Sequence, residues 1–371
     1  MAVVSAARPA ASPVAPASET ERLYTLDAFR GFTMVWMFSQ AFGLLYFRDH
    51  PAMGGLARQF THHDWHGMYA WDLIQPFFMF IVGAAMPFAF ERRWSAGEPW
   101  GLSLWHVLRR SALLILLGTM ARSIGAGKPI LDLINVLAQI AFTYVVAFLV
   151  LRRSWRVQAA TAGAFLLAHW AIYVFLIPSG AAGAWEKGTN IGAWLDGLVL
   201  GKNWGGGYAT INCISETANT IFGVMAGSLL MSSQPAARKM RILALTGVAA
   251  LALGLALDPL VPSIKRIWTA SFAIYSTGYT LLALVVFYWL CDVRRWRGWA
   301  KVFVIVGMNS IFIYLFHEIL HRWLNQTARV FLGWAVTWWG PWGQMLNVWA
   351  VVGFEIYVCW WLWRRRIFFK L

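Results

Sequence analysis

The chain has 371 residues, of which 59% are hydrophobic, and it contains 24 Trp and 25 Phe. No soluble domain needs so much apolar surface, so the composition excludes an ordinary soluble globule and predicts a polytopic membrane protein. The formal net charge of +15 is spread over short loops between apolar segments. This distribution is typical of membrane topology signals and not of a nucleic-acid-binding surface, so no nucleic acid partner is expected.

The first 21 residues are rich in Ala, Pro and Ser and contain no continuous apolar run. A cleavable signal peptide needs such a run, so we predict a disordered tail that is retained on the mature chain. Residues 22–371 then form one all-α transmembrane domain.

Apolar segments of membrane-spanning length follow, and they predict a bundle of about ten transmembrane helices. The segments are 28–47, 72–91, 104–122, 131–151, 157–177, 213–231, 241–257, 270–291, 302–321 and 345–363. With an even number of spans both termini share a side. Basic clusters such as Arg92–Arg93 and Arg364–Arg366 lie on that side, whereas each opposite loop holds only two basic residues. The positive-inside rule therefore predicts that both termini are cytoplasmic and that the opposite loops face the periplasm or a lumen.

The segment THHDWHGMYAWDLIQP at 61–76 places three histidines, an acid and a tryptophan just ahead of a predicted helix. Asp72 and Gln75 lie three residues apart, hence on one face of that helix. Ionisable residues at the edge of a span face a bundle interior or a wet cavity and indicate a functional site. We therefore predict the reaction centre of a membrane enzyme here, in which Asp72 orients a histidine or binds an incoming ammonium ion.

Three later segments carry polar residues at helical spacing, and we expect them to converge near the level of Asp72. Buried carboxylates need a partner or water and so indicate substrate binding more strongly than amides and hydroxyls, which also serve as interhelical hydrogen bonds. The candidates are Glu216, Asn219 and Thr220 in the sixth segment, Lys265, Arg266 and Trp268 ahead of the eighth, and Asn309, His317 and Glu318 in the ninth.

His317-Glu318-Ile319-Leu320-His321 matches the H-E-x-x-H pattern of zinc sites. Downstream of it Glu355 is the only acid, and it belongs to another helix. The pattern therefore favours residues that pack or line a cavity, with an intramembrane zinc protease as the alternative, and we expect no metal. Cys213, Cys291 and Cys359 are widely spaced and are interpreted as packing residues.

The longest loop on the histidine side, at about 178–212, is rich in Gly, Trp and Asn. Long structured loops are often functional, so this one is predicted to cover the outer mouth of the bundle. The alternative is that it only packs on the membrane surface.

Six segments, taken in chain order, carry a resemblance to a known family. They are RLYTLDAFRGF at 22–32, HHDWHGMYAWDLIQPFFMFIVG at 62–83, NVLAQIAFTY at 135–144, INCISETANTIFGVMAG at 211–227, KRIWTASFAIYSTGYTLLALVVFYWLCD at 265–292 and VGMNSIFIYLFHEIL at 306–320. Together they resemble the heparan-alpha-glucosaminide N-acetyltransferase family and its bacterial relatives. The chain departs from the family in the first span, where many members carry Asn and this sequence has Ala41 next to Gln40.

The resemblance implies a transmembrane acyltransferase for which acetyl-CoA is a substrate. Acetyl-CoA on the cytosolic side would donate its acetyl group to the amino group of an amino sugar or glycan on the far side. The family's active histidine stands three residues before the Trp of the motif, which here is His62 before Trp65, with Gly67 following. CoA phosphates favour arginine, which makes Arg30 a candidate contact, although an ion pair with Asp27 one turn away is the alternative.

Residue chemistry leaves several points open. Imidazole is suited either to remove a proton from the acceptor amine or to attack the thioester itself. Lys265 and Arg266 would contact an acidic acceptor sugar or CoA that reaches through the bundle. The competing functions are an O-acyltransferase and a transporter or flippase of a sugar or lipid-linked substrate. The short basic loops favour a multi-pass protein of a bacterial inner membrane, and a homodimer is an open alternative.

Overall fold

The structure is a computed structural model that describes residues 23–202, 206–369 and 371. The predicted tail at 1–21 therefore lies outside the described residues. The described part is helical, with one isolated parallel bridge between Gly67 and Ile264. Its α-helices are α1 Tyr24–Phe38, α2 Gly54–Gln59, α3 Ile74–Ser95, α4 Trp100–Ala126, α5 Val136–Val150, α6 Trp155–Phe175, α7 Ile191–Leu200, α8 Asn212–Met231, α9 Ala236–Leu257, α10 Ala270–Tyr288, α11 Lys301–Met308, α12 Ser310–Trp339 and α13 Pro341–Arg364.

Several of these helices are long and apolar enough to cross a membrane. In the described ranges there are six, Ala70–Ser95, Trp100–Ala126, Trp155–Phe175, Ala236–Leu257, Ala270–Val293 and Pro341–Arg364. The pair Lys301–Met308 and Ser310–Trp339, which is bent by 80°, makes a seventh if it is one span. The all-helical membrane class is therefore confirmed.

The predicted count of ten spans is not confirmed, although each predicted segment overlaps a helix. The first segment is broken because α1 ends at Phe38 and Gln40, Ala41 and Phe42 follow with positive φ. The fourth contains only the 15-residue α5. The sixth corresponds to α8, which has 20 residues. Many of its buried side chains are polar, and α8 is not among the helices apolar enough to count as a span.

Small residues bring α3 and α8 into close contact at the centre of the bundle. A Cβ added at Gly83 would overlap the Thr220 carbonyl oxygen, and one added at Gly223 would overlap the Phe80 carbonyl oxygen. Glycine interfaces of this kind let two membrane helices pack backbone to backbone. The close contact fixes the polar face of α8 against the start of α3, where the histidine segment joins the bundle.

The bundle has two chemically different ends. The end that holds Leu23 and Leu371 is called the terminal end below. The opposite end holds the loop at 60–69 with His62, His63 and His66, and it is called the histidine end. Between the two ends the described core consists mainly of Phe, Leu, Ile, Val, Met and Ala side chains.

Candidate functional site

The core of the candidate site is a histidine–carboxylate pair at the histidine end. His62 Nδ1 lies 2.7 Å from Asp72 Oδ1. The His62 side chain is 39% exposed, whereas Asp72 is 1% exposed. The carboxylate therefore holds one ring nitrogen, and the ring is reachable from outside the bundle. Of the two predicted roles for Asp72, this geometry matches the orienting one.

Asp72 also organises the loop that carries His62. Its Oδ2 accepts hydrogen bonds from the His63 amide at 3.1 Å and from the Tyr69 amide at 2.9 Å. The chain folds back in this way because Asp72 lies in a short 3-10 helix, Ala70–Leu73, that precedes α3. Ten residues of sequence separate the pair, and a loop closed on one carboxylate brings them together.

The charges of Lys265 and Arg266 act on the imidazole of His62. Burial lowers the pKa of His62 below its usual 6.5, and the charges of Lys265 and Arg266 act in the same direction, against the hydrogen bond to Asp72. Lys265 itself is buried and donates from Nζ to the Tyr208 hydroxyl at 3.0 Å. The ring is consequently biased toward its neutral, proton-accepting form.

A polar contact joins α3 and α8 about one helical turn beyond Asp72. Gln75 Nε2 donates to Glu216 Oε1 at 2.9 Å, and Glu216 is fully buried. The electrostatic influence of Lys265 reaches both Asp72 and Glu216. The structure therefore brings five of the sequence-predicted candidates into one neighbourhood, namely His62, Asp72, Glu216, Lys265 and Arg266.

The long segment at the histidine end is fastened to this neighbourhood. Trp65 Nε1 donates to the Trp185 carbonyl at 2.9 Å, and the Arg266 guanidinium donates to the Gly206 carbonyl. Part of the segment forms α7, Ile191–Leu200, which the sequence analysis did not predict. Contact with Trp65 and Arg266 favours a cover over the site, and that role stays a prediction.

Gly67 connects the histidine loop to the loop ahead of α10. Its amide donates to the Ser263 carbonyl at 2.9 Å, and its φ of +125° is one that glycine adopts readily. A Cβ at this position would lie 2.8 Å from His63 Nε2. Gly67 thus shapes the loop, while its predicted binding role is untested.

The other two histidines of the loop have partners of their own. The His63 ring packs on Tyr69 with 4.7 Å between ring centroids. His66 Nε2 lies 3.0 Å from Asp258 Oδ2. His62 alone among the three is held by a buried carboxylate.

Two further predicted binding residues have hydrogen-bond partners within the protein, and their binding role stays a prediction. Trp268 is 1% exposed, and its indole N–H donates to Asn219 Oδ1 at 2.8 Å. Asn309 stands at the bend between α11 and α12, where it bonds the Ile367 carbonyl and the Phe369 amide, each at 3.0 Å. Asn309 therefore belongs to the terminal end, and the expected convergence of its stripe with Asp72 does not occur at this residue.

His317 and Glu318 lie in a separate polar cluster on α12. His317 Nδ1 is 2.8 Å from Glu355 Oε1 on α13, and His321 Nδ1 is 3.0 Å from the His317 carbonyl. Glu318 acts electrostatically on Arg122. Over the described ranges, no three His, Cys, Asp or Glu side chains are grouped so that they could hold a metal ion.

A cavity of about 330 Å³ opens toward the terminal end of the bundle. Apolar residues line most of it, with the largest share from α3 and α5, and Arg30, Arg110 and Tyr144 supply polar groups. Phe78 and Ala89 on α3 both line it, so it extends about 16 Å along that helix at 1.5 Å per residue. Its deep end lies about 9 Å, or six residues, short of Asp72 on the same helix.

A second cavity of about 270 Å³ shares Arg110 and Tyr144 with the first and adds Arg93, His106 and Arg109. Arg110 Nε is buried and has no hydrogen-bond partner among the described residues. The sequence analysis found Arg30 but missed these basic residues. A signal was present, because Arg109 and Arg110 stand inside the apolar segment 104–122, where charged residues mark function.

Fold and site together define a polytopic helical membrane protein with an oriented histidine at one end and a basic, apolar-walled cavity at the other. Residues 22–183 match the family model described as "Heparan-alpha-glucosaminide N-acetyltransferase, catalytic". The resemblance carried by the sequence motifs is thereby confirmed: over these residues the chain is similar to this family. The matched region includes both His62 and Asp72.

Two curated relatives carry the same name. The chain is 24% identical over 425 residues to heparan-alpha-glucosaminide N-acetyltransferase of Homo sapiens, which covers 94% of this chain and 60% of that protein. It is also 24% identical over 377 residues to the Mus musculus protein, covering 82% of this chain and 55% of that one. The chain thus spans little more than half the length of these relatives.

Proposed function

We propose that this protein transfers an acetyl group from acetyl-CoA to the amino group of an amino sugar. The oriented His62–Asp72 pair is the observation that carries the proposal, because it combines an exposed imidazole with a buried carboxylate 2.7 Å away. The name of the two relatives supports the acetyl group and the glucosamine-type acceptor. Asp72 acts through His62 as a positioning residue.

The geometry suggests how His62 would act. With a proton on Nδ1 directed at Asp72, the Nε2 lone pair is free to accept a proton from the acceptor. A neutral imidazole is required for this step, and the lowered pKa of His62 favours it. The same free Nε2 would serve as the nucleophile in the route through an acetyl-histidine.

In the direct route His62 carries one proton from the acceptor to the CoA sulfur. The acceptor ammonium gives one proton to His62 Nε2, the amine nitrogen bonds to the acetyl carbon, and the carbon–sulfur bond breaks. The CoA sulfur takes the proton from His62, and the second proton, lost when the amide forms, leaves to the solution at the histidine end. In the covalent route Nε2 bonds to the acetyl carbon while the carbon–sulfur bond breaks, and the CoA thiolate takes one proton from the acceptor ammonium. The amine then bonds to the acetyl carbon, the Nε2–carbon bond breaks, and the second proton leaves to the solution.

The cavity at the terminal end is suited to the donor. Its basic residues would meet the phosphates of CoA, and its apolar wall would enclose the pantetheine arm. Arginine guanidinium groups bind phosphates through paired N–H donors, and the unpartnered Nε of Arg110 is one such donor. The thioester would then have to pass the deep end of the cavity to reach His62.

We also propose that the bundle crosses a bacterial inner membrane about ten times and that both termini are cytoplasmic. The basic loops at the terminal end support this orientation. Donor and acceptor would then enter from opposite sides of the bilayer. Labelling of single cysteines introduced at the exposed positions Gly55 and Gly97, with a reagent that does not cross membranes, tests the orientation.

Incubation of the purified protein with radiolabelled acetyl-CoA and glucosamine tests the reaction. We expect a labelled product that survives mild base, since an amide does and an ester does not. Arg110→Gln should raise the KM for acetyl-CoA about tenfold, whereas Arg241→Gln, an exposed arginine on α9, should leave it unchanged. Absence of both transfer and CoA binding in the wild type would refute the proposal and favour a transporter.

A further inference from the structure

The feature that the proposed reaction leaves unused is the second oxygen of Glu216. Glu216 is 0% exposed, and only its Oε1 is engaged, by Gln75 at 2.9 Å. Its Oε2 has no hydrogen-bond partner among the described residues. A buried carboxylate oxygen without a partner is costly, so native proteins keep one mainly where something else binds.

The atoms around Glu216 share one chemical property. Asn212 and Thr220 stand one turn before and one turn after it on the same face of α8. Asn212 Oδ1 and Thr220 Oγ1 also lack partners within the described ranges, and so does Gln139 Oε1 on the adjacent α5. The two amide oxygens can only accept hydrogen bonds, and so can Glu216 Oε2 when the carboxyl group is ionised. The group that fits such a set is a cation with several N–H donors.

Lys265 does not meet this need. Although its charge reaches Glu216, its ammonium donates to the Tyr208 hydroxyl at 3.0 Å and lies 4.8 Å from the centre of the Tyr208 ring. Asn212 Nδ2 is likewise turned away, toward the Arg266 carbonyl at 2.9 Å. The hydrogen bonds of Lys265 and Asn212 therefore leave these oxygens without a partner among the described residues.

The unpartnered oxygen of Glu216 lies near the oriented histidine. Asp72, which holds His62, and Gln75, which holds Glu216, lie three residues apart on the same turn of chain. Residues at this spacing have Cβ atoms about 5–6 Å apart on a helix. A small molecule bound at Glu216 would consequently present its neighbouring atoms toward His62.

We propose that the free carboxylate oxygen of Glu216 binds the protonated primary amino group of the acceptor. The inference rests on the proposed function and makes it more specific, because it assigns recognition of the amine to a residue other than the histidine. An ammonium group offers three N–H donors to the acceptor atoms of α8 and α5. Its positive charge also balances the negative charge of the buried carboxylate. A hydroxyl acceptor offers one donor and no charge, so the site selects amines over alcohols.

Kinetics with Glu216→Gln test the assignment. Glutamine keeps the size of the side chain and the oxygen that Gln75 contacts, while it removes the charge. We expect the KM for glucosamine to rise at least tenfold and the KM for acetyl-CoA to stay the same. Glu91→Gln is the matched control, since Glu91 is exposed near the other end of α3. An unchanged KM for glucosamine in Glu216→Gln would overturn the inference while leaving the acetyltransferase proposal intact.

A measurement on the wild type keeps the inference testable if Glu216→Gln does not fold. Galactosamine and glucose are compared as inhibitors of acetyl transfer to glucosamine. We expect galactosamine, which carries the amine, to inhibit at least tenfold more strongly than glucose, which lacks it. Equal inhibition by the two sugars would show that the ammonium group is not recognised. A wild type that neither transfers acetyl nor binds CoA would refute the proposed function itself.

Discussion

Two histidine–carboxylate pairs in this bundle have nearly the same geometry and very different surroundings. His62 lies 2.7 Å from Asp72, and His317 lies 2.8 Å from Glu355. The His62 side chain is 39% exposed on a loop, whereas the His317 side chain is 12% exposed between α12 and α13. His317 also packs on Phe38 and stacks on His321.

The comparison teaches that a short histidine–carboxylate distance does not by itself identify a reactive group. Both carboxylates are buried and both orient a ring. Only the first ring can meet a substrate from solution, and only the first has the charges of Lys265 and Arg266 beside it. The second pair joins two helices across a buried interface, which is a structural task. The following experiments test whether this division is correct.

The largest difference is expected between His62→Ala and His317→Ala. The first should reduce kcat for acetyl transfer by about 100-fold or more, because the proton acceptor is lost. The second should leave kcat within about threefold and lower the thermal stability by about 1–3 kcal/mol, since the Glu355 carboxyl loses its only hydrogen-bond partner in the described residues. Steady-state kinetics and melting curves in the same detergent measure both effects. A large loss of kcat in His317→Ala at unchanged stability would reverse the assignment.

A smaller contrast is expected when the carboxylates are replaced. Asp72→Asn should lower kcat by roughly 10- to 100-fold, because an amide that donates to Nδ1 forces the proton onto Nε2, the atom that must stay free. The loss should exceed any change in KM. Glu355→Gln, the matched change in the other pair, should leave kcat within about twofold. If the two variants lost activity equally, the second pair would also be part of the reaction.

The smallest effect concerns the pH dependence. In the proposed reaction the neutral form of His62 is the reactive one, and its lowered pKa places the expected acid limb of kcat below pH 6.5. Lys265 contributes to that lowering, so Lys265→Gln should raise the pKa of His62 and move the acid limb toward higher pH. The pH profile of kcat for the two proteins measures the shift. An acid limb that stays in place would mean that the charge of Lys265 does not reach the reacting imidazole.

Part of the site was predictable from local sequence, and part was not. The crowding of histidines ahead of an apolar helix with Asp72 at its start indicated the candidate site directly. The sequence did not indicate which of two roles Asp72 has, because that depends on a loop closed by the His63 and Tyr69 amides. Asn309 and Trp268 were predicted to bind substrate from their polar or aromatic character. Their hydrogen-bond partners come from distant segments, so the sequence does not show which groups they contact.

From the sequence one can predict a helical membrane protein, the family that it resembles, and the histidine that is the leading candidate. These properties follow from hydrophobicity, charge distribution and short motifs, all of which are local. The tertiary structure alone decided that Glu216 meets Gln75, that Arg110 borders the cavity at the terminal end, and that His317 pairs with Glu355. Each of these contacts joins different helices, and the relative rotation and depth of packed helices arise from side-chain packing across the whole bundle.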